Sequence, residues 1–225
     1  MGVFVGTSTP RQPSLDILYQ RYLNHEESAN FITAVAASYT IGTLERLAEF
    51  GQRTSRRAAT MALGFLGDYQ SNDVMGRRLS DEDRGVRMLA ENSIRELWYR
   101  DGNATQRQML QVIIRLNNTE QSAVAATRLA SELIDEAPFF AEAWNQRAVG
   151  HFQRGRFDDS ANDCLQTLEL NPYQFSAAVA MGQCYLEMDE PQPALDCFRR
   201  ALKLNPCLED VRAQVTYLER ALEGR

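Results

Sequence analysis

The stretch Leu168-Glu-Leu-Asn-Pro172 returns 34 residues later as Leu202-Lys-Leu-Asn-Pro206. Residues 141–174 and 175–208 therefore align as two copies of one unit, each reading as a helix, a short turn, a second helix and an Asn-Pro stop. Proline ends the second helix because it lacks an N–H group and disfavours helical geometry in the residue before it. Two short amphipathic helices cannot bury their apolar stripes alone, so the pattern predicts units that stack on one another.

Small residues mark the point where the two helices of each unit should cross. They are Ala148 with Ser160 in the first unit and Gly182 with Ala194 in the second. The spacing and the small residues resemble the tetratricopeptide repeat, a 34-residue helix pair. The residues that carry the resemblance are Trp144, Ala148, Phe157 and Pro172 in the first unit, and Met181, Gly182, Tyr185, Ala194, Phe198, Ala201 and Pro206 in the second.

The resemblance extends over the C-terminal half of the chain. Residues 107–140 read as a degenerate third unit, and residues 209–223 as the terminal helix that caps such an array. We therefore expect a tetratricopeptide domain over 104–225.

The N-terminal half has a different period, of 31 residues, in which Arg56–Leu63 aligns with Arg87–Ile94. The stretch Asp81-Glu-Asp-Arg-Gly-Val-Arg87 resembles the entry to the second helix of HEAT-type repeats, in the short bacterial version also found in phycobilisome-lyase-like proteins. An acid ahead of a helix suits the positive end of its dipole. We expect HEAT-like repeats over 13–103 and a disordered tail over 1–12. Helices are predicted near 13–23, 26–38, 40–50, 53–67, 71–79 and 84–99, with Gly67 as the residue just past a helix end.

These patterns predict an all-α fold, an α-solenoid in which a HEAT-like stack precedes a tetratricopeptide stack. A net charge of −6 works against nucleic-acid binding. The start of the chain lacks the charged and apolar regions of a secretory signal. Four cysteines without paired spacing are too few for a disulfide scaffold, so we expect a reducing, cytoplasmic location.

The sequence contains no recognisable catalytic set, and we expect no enzyme activity, no metal and no cofactor. His25 lies in a polar turn, and His151 occupies a repeat position that packs between helices. Cys184 and Cys197 are expected to approach each other as small buried side chains, although a redox pair or metal site stays open. Cys207, in a loop, is the thiol expected to be most reactive.

Seven arginines form the one cationic cluster of the sequence. They are Arg53, Arg56, Arg57, Arg77, Arg78, Arg84 and Arg87. Nearby acids, including Asp81 and Asp83, favour pairing within the repeats, and a surface for an anionic partner is the alternative.

The tetratricopeptide resemblance implies a partner-binding groove along the first helix of each unit. Carried over position by position, its lining is Glu142, Asn145, Val149, Phe152 and Gln153, then Ser176, Val179, Gln183, Leu186 and Glu187, with Tyr217, Asp210 and Ala213 from the terminal helix. No groove position is a lysine, so the clamp that some family members use for acidic C-termini is not present.

The resulting hypothesis is a non-enzymatic scaffold or adaptor that holds a protein or peptide in this groove, with a monomer favoured. One alternative is an assembly chaperone of an enzyme or of a cofactor-carrying client. Another is an anion- or nucleic-acid-binding module that uses the arginine cluster. A purely structural spacer is the third.

Overall fold

A computed structural model describes residues 14–224 of the chain. Within that range every regular element is helical, as the sequence predicts. The thirteen α-helices of this range are α1 (Ser14–His25), α2 (Ser28–Ser38), α3 (Ile41–Phe50), α4 (Arg53–Leu66), α5 (Asn72–Arg78), α6 (Arg84–Trp98), α7 (Ala104–Leu116), α8 (Ala123–Glu136), α9 (Ala141–Gln153), α10 (Phe157–Leu170), α11 (Phe175–Glu187), α12 (Pro191–Leu204) and α13 (Glu209–Glu223). The tail predicted over 1–12 lies outside the described residues.

The N-terminal helices α1 to α6 form one stack around a continuous apolar core. Leu44, Leu63 and Ile94 are fully buried there, and α4 lies between α3 and α6. The helices lie where the 31-residue period places them. Gly67 does follow the end of α4, but its φ of −73° is not the left-handed value expected of a glycine at that position. Glycine is favoured at this position by the lack of space, because a Cβ there would lie 2.6 Å from the carbonyl oxygen of Leu63.

Residues 101–103 join the N-terminal stack to α7. The side chain of Asn103 accepts from the N–H of Gln106 at 3.0 Å, and the Gln106 side chain accepts from the N–H of Asn103 at 2.9 Å. This reciprocal capping box satisfies two N–H groups that the start of a helix leaves without partners. Gly102 has a φ of +68°, which favours glycine. The linker is therefore an ordered turn.

The two units at 141–174 and 175–208 have helices with the same bounds after a shift of 34 residues. Gly155 and Asp189, 34 residues apart, both adopt a positive φ in the turn between the paired helices. The Asn-Pro stops also match, since the side-chain oxygens of Asn171 and Asn205 each accept from the N–H two residues later, at 3.2 and 3.0 Å. Such local bonds end a helix by giving the backbone another partner.

The structure confirms the crossing predicted at Ala148 and Ser160, and in the second unit it places Gly182 against Phe198 of the paired helix. Ser160 donates through its hydroxyl to the carbonyl oxygen of Ala148 at 2.8 Å. In the second unit, a Cβ on Gly182 would lie 2.6 to 2.9 Å from the ring of Phe198. The two helices of each unit are therefore close enough that only small residues fit between them.

The N-terminal stack packs against the loops that join successive C-terminal units. Phe175 belongs to the N-terminal core and meets Trp98 edge to face, with 5.6 Å between ring centroids. Tyr173 covers Gly76, where any side chain would collide with its ring. Leu204 and Leu208 contact the same core. The two halves are thus joined by side chains far apart in sequence as well as by the chain between them.

Among residues 14–224, no helix combines the length and the apolar character needed to cross a membrane. Cys164, Cys184, Cys197 and Cys207 are all free thiols.

Candidate functional site

The inner face of the first unit, 141–174, is filled by its own polar side chains. Glu142, predicted to line the groove, is only 2% exposed. Its carboxylate accepts from the amide nitrogens of Asn145 at 3.0 Å, Gln146 at 2.8 Å and Gln174 at 2.5 Å. Burial raises the pKa of Glu142, and these three hydrogen bonds oppose that rise. The carboxylate therefore shapes the interior and is not available at the surface.

A directed series of hydrogen bonds reaches Glu142 from the N-terminal stack. The indole N–H of Trp98 donates to Asn72 at 2.9 Å, and the amide of Asn72 donates to Asn171 at 2.9 Å. Asn171 then donates to Gln174 at 3.1 Å, and Gln174 to Glu142. An indole N–H can only donate, so the orientation of every amide in this series is fixed.

A second series reaches Glu142 from α7. The amide of Asn117 donates both to the side-chain oxygen of Gln146, at 2.9 Å, and to its carbonyl oxygen, at 2.8 Å. Gln146 then donates to Glu142. We call the two series together the amide relay: Trp98, Asn72, Asn171, Gln174, Glu142, Gln146 and Asn117. Since every bond points toward position 142, that side chain must accept on both of its oxygens, as an ionised carboxylate does.

The inner face of the second unit, 175–208, is open. The residues equivalent to Glu142, Gln146 and Gln174 are Ser176, Ala180 and Leu208, which cannot build the same network. They border a cavity of about 620 Å³, which we call the seam cavity. Its full lining is Glu91, Arg95, Phe175, Ser176, Val179, Ala180, Gln183, Cys207, Leu208, Glu209, Asp210, Val211 and Gln214. The first unit thus fills with its own side chains a region that the second leaves empty.

One wall of the seam cavity comes from α6 of the N-terminal stack. Arg95 is the one cation in the lining, and its guanidinium lies 5.2 Å from the centre of the Phe175 ring, a cation–π arrangement. Glu91, Glu209 and Asp210 contribute carboxylates, and none of the three forms an ion pair with a residue of the described range 14–224. The lining therefore carries a net negative charge.

The structure separates the other predicted groove residues into three groups. Ser176, Val179, Gln183 and Asp210 line the seam cavity. Leu186, Glu187, Ala213 and Tyr217 are exposed outside its lining, Tyr217 at 71%. In the first unit, Asn145, Val149, Phe152 and Gln153 are half-buried, and the Gln153 amide donates to the carbonyl oxygen of Asn117 at 2.7 Å. Only the second half of the predicted groove is open.

Sequence reasoning missed Glu91, Arg95 and Gln214. Gln214 could have been found, since it is the repeat equivalent of Gln146 in the terminal helix. Glu91 and Arg95 could not, because a repeat register gives no information on which distant helix borders the groove.

The arginine cluster is largely paired with acids of its own stack. Arg57 holds Asp83 through two bonds of 2.7 and 2.8 Å, which lower the pKa of that carboxyl to about 2. Arg56 and Arg78 both bind Asp81. Arg77 pairs with Glu49, and Arg87 donates to the carbonyl oxygens of Asp81 and Glu82. Within residues 14–224, Arg53 and Arg84 are the two members without such a bond.

The side chains considered as candidates for catalysis or metal binding do not form such a site in the described residues. His151 is buried 3.7 Å from Asp163, and Asp163 is held by two bonds from Arg147 at 2.7 and 2.8 Å. Burial lowers the pKa of His151 and raises that of the Cys197 thiol to about 11. In the described residues, no group of three or more histidine, cysteine or acidic side chains is arranged to hold a metal ion.

A protein of known sequence resembles about half of this chain. The "Protein SGT1 homolog" of Bos taurus is 30% identical over 105 residues, which is 47% of this chain and 31% of that protein. This chain therefore spans about a third of that relative.

Solved structures with a related arrangement share 15 to 19% of their sequence with this chain. The first tetratricopeptide domain of Spaghetti (RPAP3), bound to the HSP90 peptide SRMEEVD, has a TM-score of 0.47 and covers 52% of this chain and 94% of its own. A thermophilic tetratricopeptide protein of Thermus thermophilus has a TM-score of 0.40 with 91% and 96% covered. The TPR2AB domain of yeast Sti1 in a complex with pHSP90 has a TM-score of 0.45 with 92% and 95% covered.

Residues 179–206 match the family model described as "Tetratricopeptide repeat". This match falls within the second unit, 175–208, whose inner face is open. This match supports a tetratricopeptide repeat at residues 179–206.

Proposed function

We propose that this chain is a non-enzymatic scaffold that binds a segment of a partner protein in the seam cavity. The observation that carries the proposal is the open inner face of the second unit, where the first unit is closed by the amide relay. A cavity of about 620 Å³ has the volume typical of ligand sites. It is preformed, so a partner would bind with little ordering of the scaffold itself.

The proposed site is the inner face of α11 together with its neighbours. Ser176, Val179, Gln183 and Asp210 lie in the cavity, and Leu186, Glu187 and Tyr217 extend the surface beyond it. Asn145, Val149, Phe152 and Gln153 form its half-buried continuation. This lining mixes apolar and polar groups, which suits an extended peptide in a groove.

We assign the N-terminal half, 13–103, to a HEAT-like stack that forms the second wall of the site, and 104–225 to the tetratricopeptide array. Most arginines of the cluster pair with acids of the N-terminal stack. This pairing favours a structural role for the cluster over binding of nucleic acid or another anion. The free thiols are compatible with a reducing compartment such as the cytoplasm, and we propose a monomer.

An affinity capture experiment tests this function. Wild type is compared with Val179→Arg/Gln183→Arg, which places two long side chains in the cavity, and with Asn162→Arg/Gln192→Arg, which adds the same charge at exposed positions of α10 and α12. We expect a protein held by the wild type and by the α10/α12 variant, and lost by the cavity variant, with equal melting temperatures for all three. A partner held equally by all three chains would contradict the proposal.

A further inference from the structure

The lining of the seam cavity also indicates which chemical class of side chain it accepts, an inference that rests on the proposed function. The cavity contains more acceptors than donors. Glu91 borders it from α6, and Glu209 and Asp210 border it from the start of α13. Arg95 opposes these carboxylates, but its guanidinium lies against the Phe175 ring.

Gln214 supplies an acceptor that the protein leaves unused. Its side-chain oxygen is buried and has no hydrogen-bond partner among the described residues. A buried acceptor without a partner destabilises the folded state. Its repeat equivalent, Gln146, is fully engaged, since its oxygen accepts from Asn117 and its nitrogen donates to Glu142. Gln214 therefore lacks a donor like the one that Asn117 of the preceding unit supplies to Gln146.

We propose that the seam cavity receives a cationic side chain, an arginine or lysine, from an extended segment of the partner protein. Guanidinium and ammonium groups are the side-chain ends that carry several donors and no acceptor. Such a group matches the unused oxygen of Gln214 and the unpaired carboxylates of Glu91, Glu209 and Asp210. Those carboxylates come from both halves of the chain, so the cation is held between the two stacks.

The excess of carboxylates disfavours an acidic segment. A carboxylate in the cavity would meet three like charges and a buried oxygen with no proton to offer. Like charges brought together at an interface cost several kcal/mol. Arg95 offsets one of these charges, so the lining keeps an excess of carboxylates.

The test uses the full chain and an array of short synthetic peptides of equal length and apolar content, whose net charge runs from negative to positive. We expect bound peptides to be concentrated among those with arginine or lysine, and their affinity to fall as salt is raised. Glu209→Gln/Asp210→Asn should weaken binding of a selected cationic peptide about five- to tenfold, and Glu91→Gln about two- to fivefold.

The matched control is Glu120→Gln/Asp158→Asn, which removes the same charge at exposed positions away from the cavity. Binding that is equal for cationic and acidic peptides would overturn the proposal, as would equal weakening by the control or no binding of any peptide. A partner that is captured through α11 and whose affinity is unchanged by Glu209→Gln/Asp210→Asn would overturn this inference while the proposed function stands.

Discussion

The two units at 141–174 and 175–208 share a backbone and use their inner faces in opposite ways. In the first, Glu142, Gln146 and Gln174 close the face with hydrogen bonds. In the second, Ser176, Ala180 and Leu208 leave a cavity at the same place. Three side chains therefore distinguish a filled inner face from an open one.

The repeat motif itself contains no information about this difference. The small residues at the helix crossing and the Asn-Pro stop are common to both units and define the helix pair. The inner face lies outside that motif, so it can vary without changing the fold. The four experiments that follow alter one unit and not the other.

The largest expected effect is from Glu142→Ala. The substitution removes the acceptor on which three buried amides converge, and we expect the free energy of unfolding to fall by about 3–5 kcal/mol. The measurement is urea unfolding followed by circular dichroism. Ser176→Ala, at the equivalent position, should change the free energy by less than about 0.5 kcal/mol. Equal losses for the two variants would mean that the relay contributes nothing beyond ordinary packing.

Gly182→Leu tests the helix crossing of the open unit. Its side chain would collide with Phe198, where the first unit has Ala148 opposite the smaller Cys164. We expect a loss of about 1–3 kcal/mol, measured as a lower urea midpoint at an unchanged slope. Gly42→Leu is the control, because nothing lies within 4 Å of a Cβ placed there. An unchanged midpoint for Gly182→Leu would show that the 34-residue alignment of the two units is wrong.

Filling the second unit should make it resemble the first. Ser176→Gln/Ala180→Gln adds two amide side chains to the seam cavity without adding charge, and we expect affinity for a cationic peptide to fall about tenfold, or about 1.4 kcal/mol. Ala36→Gln/Ala37→Gln, at exposed positions of α2, is the control for side-chain size. Peptide affinity that survives the filling would place the binding surface elsewhere.

The smallest effect is a pH dependence that belongs to the first unit alone. Burial raises the pKa of Glu142 above its ordinary value of 4.5, so the folded state keeps this proton to a higher pH than the unfolded state. The free energy of unfolding therefore decreases as pH rises from about 4.5 through the raised value. The measurements are made above pH 4.5, because Asp83 has the opposite effect at lower pH. Its pKa is lowered to about 2, so its contribution to the free energy of unfolding is lost as pH falls below 3.8.

Unfolding of wild type and Glu142→Gln across this range isolates the contribution. As pH rises, the free energy of unfolding of the wild type should decrease relative to that of Glu142→Gln. A difference that is constant with pH would show that Glu142 has the same pKa in the folded and unfolded states.

The helices and the repeat register were predictable because they depend on local periodicity. The terminal helix runs from Glu209 to Glu223 as the sequence indicated, and α7 begins at Ala104, the start proposed for the second domain. Apolar spacing, the Asn-Pro stops and the small residues at the crossings are all properties of neighbouring residues. The fold class follows from them directly.

The site was less predictable because it depends on contacts between residues far apart in sequence. Position 142 is a groove position in the repeat pattern, but its carboxylate is buried and bonded to Gln174, in the loop after α10. Gly67 shows the same limit, since the helix end was visible in sequence and its physical cause was not. Periodicity places side chains on a face, but only the tertiary structure determines what covers that face.

The amide relay has a consequence for how the protein can be divided. Solenoid proteins are usually modular, since each unit contacts only its neighbours and units can be removed from an end. Here Asn72 and Asn171 are bonded to each other across 99 intervening positions. A fragment cut at residue 103 would leave Asn171 and Phe175 without their partners and would lose one wall of the cavity. We therefore expect that neither half of this chain can be removed without disturbing the other.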